Sequence, residues 1–366
     1  MANLFFRTNV APYRIDTYNA LHEKLDFEFY FLYAEDCSQK FDMQKLYDQC
    51  NFKVNILKTI SLFGKRTQKI CTNLRQTIKS NKPEIIIVPE FKILTVQVLL
   101  YRWLTRGKYK IVCMSDDSYS NLVGQTATKL HLWAQKFLAP MMDDFILVDT
   151  EVTKWYYKKY GKGIWLPIIR DERKEATLYK NTLIISTQFA ERNGLQNNKV
   201  LLFLARLEPV KNVGRMLEAI AKTNENFITV IVGSGSIEED LKRQASLIDK
   251  PIIFAGRYEG DNVRAWYNIA DVFILPSTWE PFGAVTNEAL IAGCTCLVSQ
   301  NAGSACLING DNGRIIDPYD VDSMATIIDE TMQAIKVRKE ITLRPCKMAF
   351  TFEETMDRVI NELKTI

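Results

Sequence analysis

Short runs of apolar residues alternate along this chain with longer stretches of helical periodicity. Phe27–Tyr33, Glu84–Val88, Lys110–Met114 and Phe145–Val148 are β-branched or aromatic runs bounded by turn residues, and each reads as a buried strand. Asn3–Phe6 and Val54–Ile56 read as two more. Between them the spacing predicts helices over Arg14–Lys24, about Lys65–Lys79, Ile93–Arg106, Thr126–Leu138 and Thr150–Tyr160. The alternation begins again after residue 199. Strands are expected at Val200–Leu204, Phe227–Val232, Ile252–Phe254, Val272–Leu275, Thr295–Val298 and Gly313–Ile316. Helices are expected at Val213–Lys222, Glu238–Leu247, Val263–Ala270, Ala284–Ile291 and Val321–Ala334. Apolar strands alternating with helices imply parallel sheets covered on both faces, so the fold class is α/β with two Rossmann-like domains facing across a cleft. The expected division is 1–170 for the N-terminal domain, 171–198 for a polar interdomain crossing, 199–345 for the C-terminal domain, and 346–366 for a closing helix.

Length and composition agree with this division. At 366 residues, two domains are the natural expectation, and 47% hydrophobic with 25% charged residues is ordinary for a globular protein. No run of eighteen apolar residues occurs. The start, MANLFFRTNVAPYR, lacks the parts of a signal peptide, and the expectation is a cytoplasmic location. Eight scattered cysteines and two histidines, His22 and His131, lack the paired spacing of a zinc site and read as reduced thiols and ordinary side chains.

Charge is uneven. Residues 1–165 carry 24 Lys+Arg against 16 Asp+Glu, whereas the remainder carries 23 against 27. Many of the cations lie between Lys53 and Lys82, with Leu57, Ile60, Leu62 and Phe63 interleaved. Such a stretch is either a solvated helix face or a surface attracted to an anionic membrane or a phosphate-bearing substrate. Nucleic acid is the weaker reading, because no recognised module accompanies the charge.

The candidate chemistry gathers at strand ends in the second half. Arg206 and Lys211 follow Val200–Leu204, and two cations there suit a diphosphate. Gly233 and Gly235 follow the next strand, and Gly256 with Arg257 the one after. The stretch Trp279-Glu280-Pro281-Phe282-Gly283 turns from strand to helix, with a second carboxylate, Glu288, inside that helix. Asn301-Ala302-Gly303-Ser304 follows the next strand. Ligands of open parallel sheets bind beyond the carboxyl ends of the strands, so these positions converge on one pocket.

The segments LLFLARLEPVKNV, IVGSGSIEEDL, IIFAGR, ADVFILPSTWEPFGAVTNEALIAGC and NGDNGRIIDPYD together resemble the retaining, nucleotide-sugar-dependent glycosyltransferases of family 4, which have the GT-B fold. The resemblance is specific over roughly residues 199–329, and the N-terminal half matches only in its pattern of elements. It implies that Arg206 and Lys211 hold the donor diphosphate, that Glu280 meets the transferred sugar beside the Phe282 and Gly283 amides, and that Glu288 holds the ribose. Gly256 and Arg257 would lie near the base, and FTFEETMDRVINELKTI would be the helix that returns to the N-terminal domain. It further implies a metal-independent hexosyl transfer with no cofactor, to a saccharide or lipid-linked acceptor in polysaccharide or glycolipid synthesis.

Three places depart from the family. Ser115-Asp116-Asp117 stands where many members have His-Asp, which makes Asp116 either a donor-hydroxyl ligand or a turn residue. Arg7–Tyr13 replaces the glycine-rich N-terminal loop, and Ala302-Gly303-Ser304-Ala305 replaces a Gly-Gly followed by an acid. Two other functions share the architecture: a nucleotide-sugar epimerase, and a binder that never consumes its ligand. An epimerase needs further acids and histidines that have no evident place here, and a binder is separated from an enzyme by whether bound donor is consumed.

Overall fold

The computed structural model describes residues 2–34, 43–61, 69–116 and 128–366, apart from the side chain of Leu130. The chain divides into two compact units, residues 1–169 with 353–366, and residues 170–352.

The first unit is built on a seven-stranded sheet. Its strands are β1 (Asn3–Arg7), β2 (Phe27–Phe31), β3 (Val54–Ile56), β6 (Ile85–Pro89), β7 (Lys110–Ser115), β8 (Asp144–Leu147) and β9 (Ile164–Trp165). They run parallel in the order β3-β2-β1-β6-β7-β8-β9. The short strands β4 (Thr59–Ser61) and β5 (Lys69–Cys71) pair antiparallel beside it. Every residue of β6 is buried, as a central strand covered on both faces requires. Phe5, Phe29, Tyr18 and Phe52 stack into an aromatic core under helix Ile15–Leu25, with Phe29 and Phe52 centroids 4.1 Å apart. The basic helix expected from Lys65 starts instead at Leu74, since Lys69–Cys71 is drawn into the antiparallel pair. Residues 65–68 of that expectation lie outside the described residues, as do residues 126 and 127 of the helix that is seen at Lys129–Leu138.

The second unit repeats the plan with six parallel strands: β10 (Val200–Leu204), β11 (Ile228–Val232), β12 (Ile252–Gly256), β13 (Val272–Leu275), β14 (Thr295–Ser299) and β15 (Gly313–Ile316). Their order is β12-β11-β10-β13-β14-β15. The order reverses between β10 and β13, so the loops leaving these two neighbours open into the crevice where such sheets take ligands.

The polar stretch 171–198 folds into helices Glu172–Asn181 and Leu183–Arg192 of the second unit. Tyr179 and Ala190 are buried there, and the Asn268 amide donates to the Tyr179 carbonyl at 2.9 Å. Residues 336–351 then run along the same unit as a strap. Arg338 pairs with Asp271 at 2.7 Å, and the Arg344 guanidinium donates to the Ala292, Ala270 and Tyr267 carbonyls at 2.5–2.9 Å. The last helix, Phe352–Lys364, buries Met356, Val359, Ile360 and Leu363. Its Arg358 donates to the Trp165 carbonyl at 2.6 Å, and Asp357 pairs with Lys24 at 2.5 Å, which ties it to the first unit.

Candidate active site

The loop leaving β10 is shaped by neighbours that cannot carry side chains. A Cβ on Gly233 would lie 1.9 Å from the Ala205 carbonyl oxygen, and one on Gly235 would lie 2.2 Å from that of Leu207. Gly233 also adopts φ 148°, which glycine alone reaches without strain. The two glycines therefore let the loops after β10 and β11 touch backbone to backbone. Glu208 fastens the contact by accepting from the Ser236 amide at 3.3 Å and its hydroxyl at 2.6 Å. The Gly233 amide donates to the Gly256 carbonyl at 2.9 Å, which adds the end of β12 to the same edge. A Gly235→Ala variant must push Leu207 aside, at a cost of about 1–3 kcal/mol. The expected result is a lower melting temperature by scanning calorimetry.

The same loop closes on the one after β13. Lys211 ends a short 3-10 turn, Pro209–Lys211, and its Nζ forms an ion pair with Glu280. Both side chains are mostly withdrawn from water, at 12% and 15% exposure. Asn212, the next residue, sits at φ 60°, a conformation asparagine tolerates better than most residues. Its amide donates to the Pro276 carbonyl at 3.0 Å and the Pro318 carbonyl at 2.7 Å. The Thr278 amide donates to Val210 at 2.9 Å. The Asn212–Pro276 and Thr278–Val210 hydrogen bonds thus join the loops that carry Lys211 and Glu280, and the Asn212–Pro318 bond ties the first of them to the stretch after β15. Arg206 is exposed on the same loop and makes no ion pair among the described residues.

Glu280, Phe282 and Gly283 are held from the other side by residues 301–304. The Glu280 amide donates to Asn301 at 3.2 Å, the Gly303 amide to Glu280 at 3.1 Å, and the Ser304 amide to Phe282 at 2.7 Å. A Cβ on Gly303 would lie 2.3 Å from the Pro281 carbonyl oxygen. Gly283 sits at φ 91°. Phe282 is buried, so its ring anchors the turn and only its backbone is available to a ligand. In this structure Ala302-Gly303-Ser304-Ala305 braces the turn.

Glu288, in helix Val285–Ile291, belongs to a second cluster. Its carboxylate lies 3.3 Å from Arg170 Nε, and the Tyr267 hydroxyl donates to it at 3.2 Å. Arg170 also pairs with Glu175 at 2.6 Å, and Arg264 reaches Glu175 at 3.0 Å. Burial pushes the Glu288 carboxyl above its ordinary range, against the opposing charge of Arg170. Glu175 is held below its ordinary range, because Arg170 and Arg264 together overcome its burial. Arg257 pairs with Glu259 at 2.5 Å in an exposed position beyond β12.

Asp116 lies in the first unit, just past β7. Arg7 takes one carboxylate oxygen at 2.6 Å and Arg14 the other at 2.8 Å. The Asp116 amide donates to Glu90 at 3.2 Å. The two guanidinium groups overcome burial and hold the Asp116 carboxyl far below the usual carboxylate range. Both oxygens being engaged, Asp116 is the tie between the loop after β1 and the end of β7. Asp117 lies outside the described residues.

Several contributors are absent from the sequence reading above. Asn212 carries a recognisable signal, an asparagine at a turn between a short apolar run and a helix. Arg170, Glu175 and Arg264 do not, since each looks like one more charge in a polar stretch until the fold places it against Glu288.

Residues 185–342 match the family model described as glycosyl transferases group 1. The matched residues all lie in the second unit. An uncharacterized glycosyltransferase of Methanocaldococcus jannaschii is 35% identical over 151 residues, which span 39% of this chain and 38% of that protein. The Escherichia coli UDP-Gal:alpha-D-GlcNAc-diphosphoundecaprenol alpha-1,3-galactosyltransferase is 33% identical over 141 residues, 36% of each chain. The chain therefore spans well under half the length of these two relatives. Among solved structures, Anabaena HepE in complex with UDP superposes over 100% of both chains with TM-score 0.75 at 17% identity. The lipopolysaccharide outer core galactosyltransferase WaaB superposes with TM-score 0.70 at 15% identity, over 100% of this chain and 99% of that one. These likenesses show the fold, the two-domain α/β architecture of GT-B glycosyltransferases. The matched region includes the paired Lys211 and Glu280.

Proposed function

We propose that this protein is a retaining, metal-independent glycosyltransferase that moves a hexosyl group from a nucleotide-sugar donor to a saccharide or lipid-linked saccharide acceptor in glycan synthesis. The observation that carries the reading is the Lys211–Glu280 pair at the reversal of strand order in the group 1 domain. A cation and a carboxylate held in contact there offer complementary partners for a leaving diphosphate and for the hydroxyls of a sugar. Exposed Arg206 adds a second charge for the diphosphate, and Glu288 meets the ribose. Gly256 and Arg257 border the base, and the first unit takes the acceptor. The leaving phosphate accepts the acceptor proton as the new glycosidic bond forms on the face from which it departs. Support for the donor class comes from the UDP in the Anabaena structure and the UDP-galactose named for the Escherichia coli relative. A cytoplasmic location with peripheral contact to an anionic membrane is part of the same proposal.

The test is to incubate the full chain with a panel of nucleotide sugars and both soluble and lipid-linked saccharide acceptors. Acceptor-dependent release of nucleoside diphosphate is expected, with the product keeping the donor's anomeric configuration by proton NMR. Tight donor binding without release under any pairing overturns the enzyme reading, and conversion of the donor without an acceptor points to an epimerase.

A further inference from the structure

Helices Ile93–Thr105 and Lys129–Leu138 follow β6 and β7, and β6, β7 and β8 are consecutive neighbours in the first sheet. Right-handed crossovers between strands in this order put both helices on the same face. Contacts at each end show them side by side. Phe91 and His131 rings are 6.1 Å apart near the two N-termini, and Arg102 donates to the Met141 carbonyl at 2.6 Å near the two C-termini.

The first helix buries Leu94, Val98 and Leu99 against the sheet, yet its outer face is apolar too. Val96, Leu100, Trp103 and Leu104 follow i, i+4, i+7, i+8 spacing, and Trp103 is 73% exposed. The neighbouring helix adds Trp133 at 59% and Phe137 at 52% exposure, and Met141 follows. The outer face of a water-facing helix is ordinarily polar, and a contiguous apolar patch of this kind marks a contact surface.

Along the two helices and the strand after the first of them, the charges are all of one sign. Residues 91–115 and 128–142 contain Lys92, Arg102, Arg106, Lys108, Lys110, Lys129 and Lys136 and not one Asp or Glu. Asp143 just beyond neutralises Arg102, and the others named are exposed. A second copy of this chain docked symmetrically here would oppose like charges. An anionic bilayer satisfies both features, with tryptophans at the headgroup level and lysines reaching the phosphates.

We infer that the paired outer faces of helices Ile93–Thr105 and Lys129–Leu138 are the surface by which this protein lies on an anionic membrane. This deepens the membrane part of the proposed function and leaves the catalytic part independent. Within the stretch Lys53–Lys82, Leu57 is buried in the core, Ile60 is exposed, and Leu62 and Phe63 lie outside the described residues.

The experiment is cosedimentation of the full chain with vesicles of phosphatidylglycerol and phosphatidylcholine, against phosphatidylcholine alone, across salt. The expected result is binding to the anionic vesicles that falls steeply with salt. Trp103→Ser with Trp133→Ser is expected to weaken it about tenfold, since each indole loses its interfacial anchorage. Lys129→Glu with Lys136→Glu should do the same through charge, with both variants melting as the parent does. These side chains are exposed, so folding is spared, and diphosphate release with a soluble acceptor is read in parallel. Loss of vesicle binding with release intact separates this surface from the catalytic reading. No binding at low salt, equal binding by both double variants, or concentration-dependent dimerisation abolished by Trp103→Ser would overturn the inference.

Discussion

Lys211→Ala is expected to lower kcat for sugar transfer by about 100- to 1000-fold, the loss typical when one preorganised donor to a developing negative charge is removed. The structure gives the reason. The Lys211 ammonium is fixed by the turn Pro209–Lys211, by the two hydrogen bonds of Asn212, and by its ion pair with Glu280. It needs little reorganisation when a diphosphate leaves. The companion variant separates charge from shape. In the free protein Glu280 shares the Lys211 charge, so a bound diphosphate competes with that carboxylate. Glu280→Gln is expected to leave nucleoside diphosphate binding unchanged or tighter by calorimetry while kcat falls by a similar factor. A Lys211→Ala enzyme with unchanged kcat, or a Glu280→Gln enzyme that loses diphosphate affinity and keeps its rate, would sink this division of roles.

What the chain reveals of itself differs between its two halves for a physical reason. Central parallel strands are buried on both faces and must be continuous apolar runs. Val200–Leu204 and Val272–Leu275 could therefore be read to the residue. Loops that touch backbone to backbone need glycine, which made Gly233 and Gly235 legible, and Lys211 and Glu280 stand out as ions just past strand ends. The first half has fewer such constraints. Lys69–Cys71 forms an edge pair with Thr59–Ser61, and neither strand has a periodicity that separates it from a basic helix. The stretch 171–198 reads as a linker because its exposed faces are charged, although Tyr179, Ser186 and Ala190 hold it to the second unit. Buried ion networks are the least legible of all. Arg170, Glu175 and Arg264 meet across 89 residues of sequence, and Arg7, Arg14 and Asp116 across more than 100, so no local spacing announces either.

Asp116→Asn is expected to destabilise the protein by about 3–5 kcal/mol at neutral pH, the usual cost of removing one partner from a buried ion cluster. Arg14 is fully buried and Arg7 nearly so, and Asp116 supplies the charge that both guanidinium groups contact. Among the described residues, the Nε of Arg14 and the hydroxyl of Tyr18 already lack hydrogen-bond partners, so the cluster has little spare capacity to absorb an unpaired cation. For a unit of this size the loss corresponds to a melting temperature lower by roughly 6–20 °C. Acidification supplies a second readout. The Asp116 carboxyl titrates lower in the folded protein than in the unfolded chain, so its contribution is complete above the unfolded value of about 3.9 and fades as pH falls toward the folded one. The gap in stability between parent and variant should therefore be wide at pH 7 and narrow steadily below about pH 4. Calorimetric melts of both proteins from pH 7 downward test this. Equal melting temperatures at pH 7, or a gap that does not shrink on acidification, would show that the two arginines are neutralised by something other than Asp116.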